Sequence, residues 1–296
     1  MQVTSVLRAD SIPREHVERL AALVKIGEWK IYPNGNNGGI VLKASEFDPS
    51  VEVFRNYCRQ NQLPFWDNRV RHYSKSEMHA ASFLNVDDTP ADVDANENTV
   101  YTNKHCCPKC GAGLEQSGPL TFSVKKCYKK KLFCVDLRNS HEWVVSSEVK
   151  PLFDGLTGFR WGEVVDSKTR KVSPMFHQIV VENRLPRMAT ITNFQQTGPP
   201  WSNRCECNRA GWRLLDEQIY ERASLTNAKD FNVTTERLSG GGPCGLRWLV
   251  VSQAVHSLIL KTHLLSGACF VPIHLIEKDS GMQHKFDLPL DILPQS

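Results

Sequence analysis

The chain has 296 residues, 41% of them apolar and 23% charged. That is the composition of a globular protein long enough for one large domain or two of ordinary size. No apolar run approaches the ~20 residues that span a bilayer, and the opening Met1-Gln2-Val3-Thr4-Ser5-Val6-Leu7-Arg8 lacks the charged-then-apolar build of a secretory signal. A membrane role is therefore not expected and a reducing cytoplasm is. The formal net charge of +4 permits an acidic partner without demanding one.

Residues 1–86 read as an N-terminal α/β segment. Ser11 and Pro13 suit a helix start, Val17, Leu20, Ala21 and Val24 fall on one helical face, and Gly27 suits a stop. Two short strands are predicted from Glu28 to Tyr32 and from Gly39 to Lys43, joined through Asn34-Gly35, a hairpin signal because both positions take positive φ cheaply. A second helix is predicted from Ser50 to Asn61, with Val51, Phe54 and Cys58 inward. Asp87 to Asn98 is acidic, contains Pro90 and has little to bury. It is expected to be a surface linker, 87–98, ahead of a second domain, 99–296.

Ten cysteines in a reducing compartment are read as metal ligands where clustered and as small apolar residues where isolated. Isolated Cys58, Cys244 and Cys269 are thus expected to fill core or loops. His105-Cys106-Cys107-Pro108-Lys109-Cys110-Gly111 contains the two-residue spacing at which Cys107 and Cys110 can converge on one zinc ion, the glycine relieving crowding where the backbone turns back. Tetrahedral zinc needs two more ligands. Cys205 and Cys207 are favoured, because structural zinc is usually held by two close pairs. Cys127, Cys134 and His141 compete, and Cys106 could replace Cys107. A four-thiolate site has no open position, so the zinc is expected to be structural.

The second region also carries an internal repeat, 142–165 and 248–276. Trp143-Val144-Val145-Ser146 and Trp248-Leu249-Val250-Val251-Ser252 each precede a helical stretch, and Leu156-Thr157-Gly158-Phe159 and Leu265-Ser266-Gly267-Ala268-Cys269-Phe270 follow. Each copy parses as strand, serine N-cap, amphipathic helix, glycine stop and strand. Lys125, Lys126, Lys129, Lys130 and Lys131, with Tyr128 and Phe133 interleaved, could meet a nucleic-acid backbone or could be solvated strand lysines. Gly240 to Gly245 lacks the ending of a phosphate loop and reads as a connector. His72 and His79 would share a face if their stretch were helical, and Trp161, Phe176 and Trp201 could anchor a partner or fill the core.

The Cys107–Gly111 knuckle is followed by Cys205-Glu206-Cys207, Asp216-Glu217-Gln218-Ile219, Ala223-Ser224-Leu225, Asp230-Phe231, Thr235-Glu236-Arg237-Leu238 and the strand-helix unit ending at Phe270. This succession, over about residues 100 to 276, resembles the bacterial double-CxxCG motif proteins. The resemblance implies an immunity protein that protects bacteria against a contact-delivered polymorphic toxin, with the cognate toxin as partner and no catalytic residues. The expected fold is mixed α/β (α+β): an N-terminal α/β segment and a zinc-stapled domain with two related strand-helix-strand units. The alternative function is a zinc-ribbon protein binding nucleic acid through Lys125–Lys131.

Overall fold

The computed structural model describes residues 2–24, 28–34, 37–88, 91–94, 99–102, 106–108, 113–137, 140–192, 194–196, 212–214, 217–238, 247–265 and 267–278. The fold is α+β, as expected. It divides into two units, Met1–Met78 and His79–Ser296.

The first unit is built on β1 (Gln2–Pro13), where Ser5, Leu7 and Ala9 are buried and Arg8 is exposed, the alternation of a strand with one covered face. Between Ala9 and Ile12 one extra residue enters the pairing, and Ser11 there takes φ 54°. This bulge turns Ile12 back into the core, which strict alternation would have denied it. α1 (Arg14–Leu23), β2 (Glu28–Asn34), β3 (Asn37–Ser45), α2 (Pro49–Gln60) and β4 (Trp66–His72) follow, with strand order β2-β3-β1-β4 and antiparallel neighbours throughout. Strand-helix-strand-strand-helix-strand in that order is the split-βαβ, ferredoxin-like topology. Val17 and Leu20 of α1 and Val51, Phe54 and Cys58 of α2 pack on Leu7, Ile40 and Leu42. Asp48 caps α2 by accepting from Ser50 N at 2.8 Å. Arg55, 8% exposed at its side chain, forks onto Asp67 at 2.8 and 3.1 Å and reaches Glu52 at 2.7 Å, tying α2 to β4. The predicted helices and strands stand here within a few residues. Asn34 pairs with Asn37, and the Gly35 turn residue lies outside the described residues.

The short helix α3 (Lys75–Ala80) spans the division between the units. The boundary thus falls earlier than residue 86, and the expected acidic linker is corrected. β5 (Phe83–Asp88) is an inner strand of the second unit, paired on both sides, and β6 (Ala91–Asp94) pairs in parallel with another strand of that unit. Backbone pairing, to which acidic composition is blind, takes these residues into sheets. Residues 95–98 lie outside the described residues.

The second unit continues through β7 (Tyr101–Thr102), β8 (Glu115–Gln116), β9 (Leu120–Phe122), β10 (Leu132–Leu137), β11 (Ser140–Ser146), β12 (Phe159–Asp166), β13 (Val172–Val181), β14 (Phe194–Gln196), β15 (Trp212–Leu214), β16 (Ile219–Glu221), β17 (Phe231–Val233), β18 (Leu249–Ser252), α4 (Gln253–Thr262), β19 (Cys269–Pro272) and β20 (His274–Ile276). A six-stranded sheet runs β6-β10-β11-β13-β12-β9, a four-stranded sheet runs β17-β18-β5-β19, and β7-β8, β14-β15 and β16-β20 form pairs. Strand alternation gives the large sheet two apolar faces. Leu132, Cys134, Trp143, Val145 and Ile179 join a core with Phe153, Phe231, Val251 and Val255, while Phe133, Val135, Val144 and Phe176 join another with Phe122 and Cys127.

The two stretches share a strand arrangement and differ in their middle. β11 and β12 both pair antiparallel with β13, and β18 and β19 both pair antiparallel with β5, so each copy is a crossover between parallel strands that flank a third. The second copy contains the expected helix, α4, with Ser252 accepting from Val255 N. The first contains only a 3-10 turn, Lys150–Phe153, and Ser146 caps nothing. Pro151 at the start of that turn and Gly155 just beyond it leave no room for a longer helix. α4 stops on His263, φ 49°, rather than on Gly267, whose own φ of 81° lies in the turn before β19. Among the described residues no helix is long and apolar enough to cross a membrane.

Candidate metal centre and adjoining cleft

Cys107 and Cys110 fall between β7 and β8, which pair antiparallel with Tyr101 opposite Gln116 and Thr102 opposite Glu115. Cys205 and Cys207 fall between β14 and β15, which pair antiparallel with Phe194 opposite Leu214 and Gln196 opposite Trp212. In sequence, each cysteine pair therefore lies between two strands that pair antiparallel with each other. Cys107 is buried, 6% exposed, and Cys106 beside it is half-buried with its thiol directed to the Cys107 carbonyl at 3.5 Å. Cys110, Cys205 and Cys207 lie outside the described residues. Among the described residues no group of three or more histidine, cysteine or carboxylate side chains is assembled for a metal.

The competing ligands are separated. Cys134 sits on β10 in the core of Trp143 and Phe231, and Cys127 packs with Phe122, Phe133 and Phe176 on the other face of the same sheet. A shared ion would require one of them to cross the sheet. His141 lies on β11, opposite Asp136. Of the isolated cysteines, Cys58 is fully buried and burial pushes its thiol up to about 12, Cys269 is exposed on β19, and Cys244 and the Gly240–Gly245 stretch lie outside the described residues.

The β7-β8 hairpin also walls a cleft of about 690 Å³ over β11, β13 and β12. Glu115 receives Arg237 at 2.9 Å and Arg184 at 3.3 Å, with the Arg237 side chain only 8% exposed. Gln116 and Gln178 exchange amide hydrogen bonds of 2.9 and 2.7 Å, and Gln178, 1% exposed, also donates to Glu142 at 3.1 Å. Gly162 makes room for this exchange, because a Cβ there would stand 2.7 Å from Val180 and 3.2 Å from the Gln178 amide oxygen. Arg160 and Glu182 pair at 2.8 Å on the rim. Charges of both signs thus line a concave wall and brace one another across long sequence separations. Arg237 belongs to the Thr235–Leu238 tail motif, and its ion pair with Glu115 brings that motif to the strand just after the first knuckle. Its neighbour Glu236, buried, accepts from Met188 N at 2.9 Å. Sequence reading noted the tail but had no signal for Glu115, Gln116 or Gln178.

One pair elsewhere has the residue types of a nucleophile and its base. Ser147 Oγ lies 3.1 Å from His177 Nε2 and 2.5 Å from the Pro174 carbonyl oxygen. A carbonyl only accepts, so the hydroxyl proton goes to Pro174 and the imidazole donates to the hydroxyl, the reverse of what activates a serine. Burial first and Lys150 second lower the His177 pKa, in keeping with a neutral ring. His72 ends β4 and His79 lies on α3, so they share no helix face. Phe176 is core, Trp161 packs edge-on against Phe153 and Phe159, and Trp201 lies outside the described residues. The Lys125–Lys131 stretch is not a strand pair but a 3-10 turn, Val124–Lys126, and the turn that follows it. Comparison with protein-family models, with curated proteins and with solved structures finds no match for the chain.

Proposed function

We propose that this chain is a non-catalytic binding protein of the bacterial cytoplasm, an immunity protein that neutralises a cognate toxin by direct contact, with a structural zinc held by Cys107, Cys110, Cys205 and Cys207. What supports the reading is the position in sequence of the two cysteine pairs, each between two strands that pair antiparallel with each other. Four thiolates suit zinc and leave it no open coordination position, so the ion would supply folding free energy rather than a reaction centre. The Glu115–Arg237 ion pair supports the same reading, because it ties the first hairpin to the tail motif on which the family resemblance rests.

Inhibition by occupancy needs a complementary surface and no nucleophile. The cleft beside the first hairpin offers arginines and glutamates already oriented by their partners, which is what recognition of a mixed-charge polypeptide requires. The test is co-expression with the toxin encoded beside this chain's gene. Cells are expected to survive the toxin only when the chain is present, and the two purified proteins are expected to co-elute. A toxin that neither binds nor is neutralised contradicts the proposal.

A further inference from the structure

We propose that one end of the six-stranded sheet, formed by the connections after β9 and after β12, binds the phosphate backbone of single-stranded nucleic acid. This surface is independent of the toxin-binding reading. β9 and β12 run parallel, with Leu120 opposite Val164 and Phe122 opposite Asp166, so the segments that follow them leave the sheet at the same end. They are then buckled together. Ser167 N donates to the Phe122 carbonyl at 2.9 Å, and the Asp166 carboxylate accepts Val124 N at 3.3 Å on one oxygen and Thr169 N at 3.2 Å on the other.

The first segment carries Lys125, Lys126, Lys129, Lys130 and Lys131, and the second carries Lys168, Arg170 and Lys171. Every one of these except half-buried Lys130 is exposed. Asp166 is the single carboxylate among residues 123–131 and 166–171, and both its oxygens face backbone amides. Lys131 pairs with Glu148 at 2.8 Å; the other six exposed cations against Asp166 still exceed the +4 of the whole chain, so the remainder is net acidic and the positive charge is gathered here. Like charges held this close raise the folding cost of the site. A polyanion relieves that cost by neutralising several of them at once and releasing its own counterions.

Packing and hydrogen bonds hold the turn from which the cations project. Cys127, fully buried against Phe122, Phe133 and Phe176, pins the centre of the first segment, and successive turn hydrogen bonds link Lys126 to Ser123, Cys127 to Val124 and Lys130 to Cys127. The lysine stems therefore project from a fixed turn. Tyr128 stands among them 59% exposed, with the Lys129 ammonium 5.6 Å from its ring centroid, and offers a face on which an unpaired base can stack. Dense cationic point charges around one open aromatic ring suit a single strand better than a protein surface, whose sparser carboxylates would leave most of the cations unmatched.

Fluorescence anisotropy with a labelled oligothymidylate of about 20 nucleotides tests this. Five phosphate contacts would weaken binding roughly 130-fold between about 50 and about 200 mM salt. The triple change Lys125→Gln, Lys126→Gln and Lys129→Gln is expected to lower the log–log salt slope by about 2, and Lys168→Gln with Lys171→Gln by about 1.4. Tyr128→Ala is expected to weaken binding about tenfold and leave the slope unchanged. Lys261→Gln, on α4, is the control and should change neither, and thermal melts confirm that each variant is folded. Absence of binding at low salt overturns the proposal. So does binding that survives both sets of lysine changes, or equal retention of polyglutamate, which would make the surface a general acceptor of acidic chains.

Discussion

Gly158 takes φ 93°, and a Cβ built on it would stand 2.1 Å from the Phe231 carbonyl oxygen. Sequence reading placed this glycine at a helix end; the structure places it where two chain segments touch, with Glu182 N donating to its carbonyl at 3.0 Å. Gly158→Ala is expected to cost about 3 kcal/mol, seen as a lower urea midpoint; an unchanged midpoint would contradict the contact. Asp230 works at the same junction, accepting from Thr157 N at 2.8 Å, Thr157 Oγ1 at 2.9 Å and Ser252 Oγ at 2.7 Å. Partial burial is the largest single influence and pushes its carboxyl up, but the hydrogen bonds from Ser252 and Thr157 together outweigh it and hold the carboxyl below its usual range. A depressed carboxyl contributes stability above its unfolded value of about 3.9 and loses it as pH falls through the folded value. Stability of the second unit is therefore expected to decline as the medium is acidified below about pH 4. Asp230→Asn should flatten that decline and cost about 1–2 kcal/mol at neutral pH, measured by denaturation at several pH values. Neither role was legible beforehand, since both depend on segments about 73 residues apart meeting.

The two crossover units show which elements a sequence reveals by itself. Gln253–Thr262 has an apolar stripe, a capping serine and neither proline nor glycine, so local preference and packing agree and the helix was readable. The corresponding stretch in the first copy looked alike because of its flanking Trp-Val-Val-Ser and Leu-x-Gly-Phe patterns, and only Pro151 and Gly155 warned of a shorter turn. The two serines now differ in expected consequence. Ser252→Ala removes a cap and a bond to Asp230 and should cost about 1–2 kcal/mol. The Ser146 hydroxyl is buried with no hydrogen-bond partner among the described residues, so Ser146→Ala should leave stability unchanged or raise it slightly. Equal losses in the two denaturation curves would mean that Ser146 has the same capping job. The β7-β8 and β14-β15 hairpins were invisible to pattern reading, because strands of two or three residues carry no periodicity.

Across the whole molecule, two units were expected and two are found, but the boundary moved because β5 and β6 are recruited by distant strands. Residues 1–78 hold their own core and a complete four-stranded sheet with both helices. Expressed alone they are expected to fold, giving a cooperative thermal transition and dispersed amide resonances; a chain with neither would mean that this unit depends on the rest. In the second unit the cysteine pairs were legible as chemistry but not as architecture. Their spacing suggests zinc, and strand pairing adds that the sequence between β7 and β8 and between β14 and β15 joins antiparallel partners. Zinc content, measured by elemental analysis of the purified chain and of single cysteine variants, tests the account most directly. About one zinc per chain is expected, lost together with a lowered denaturation midpoint in both Cys107→Ser and Cys205→Ser. A native chain without zinc, or a Cys205→Ser variant that keeps its full complement, would contradict a staple between the two hairpins.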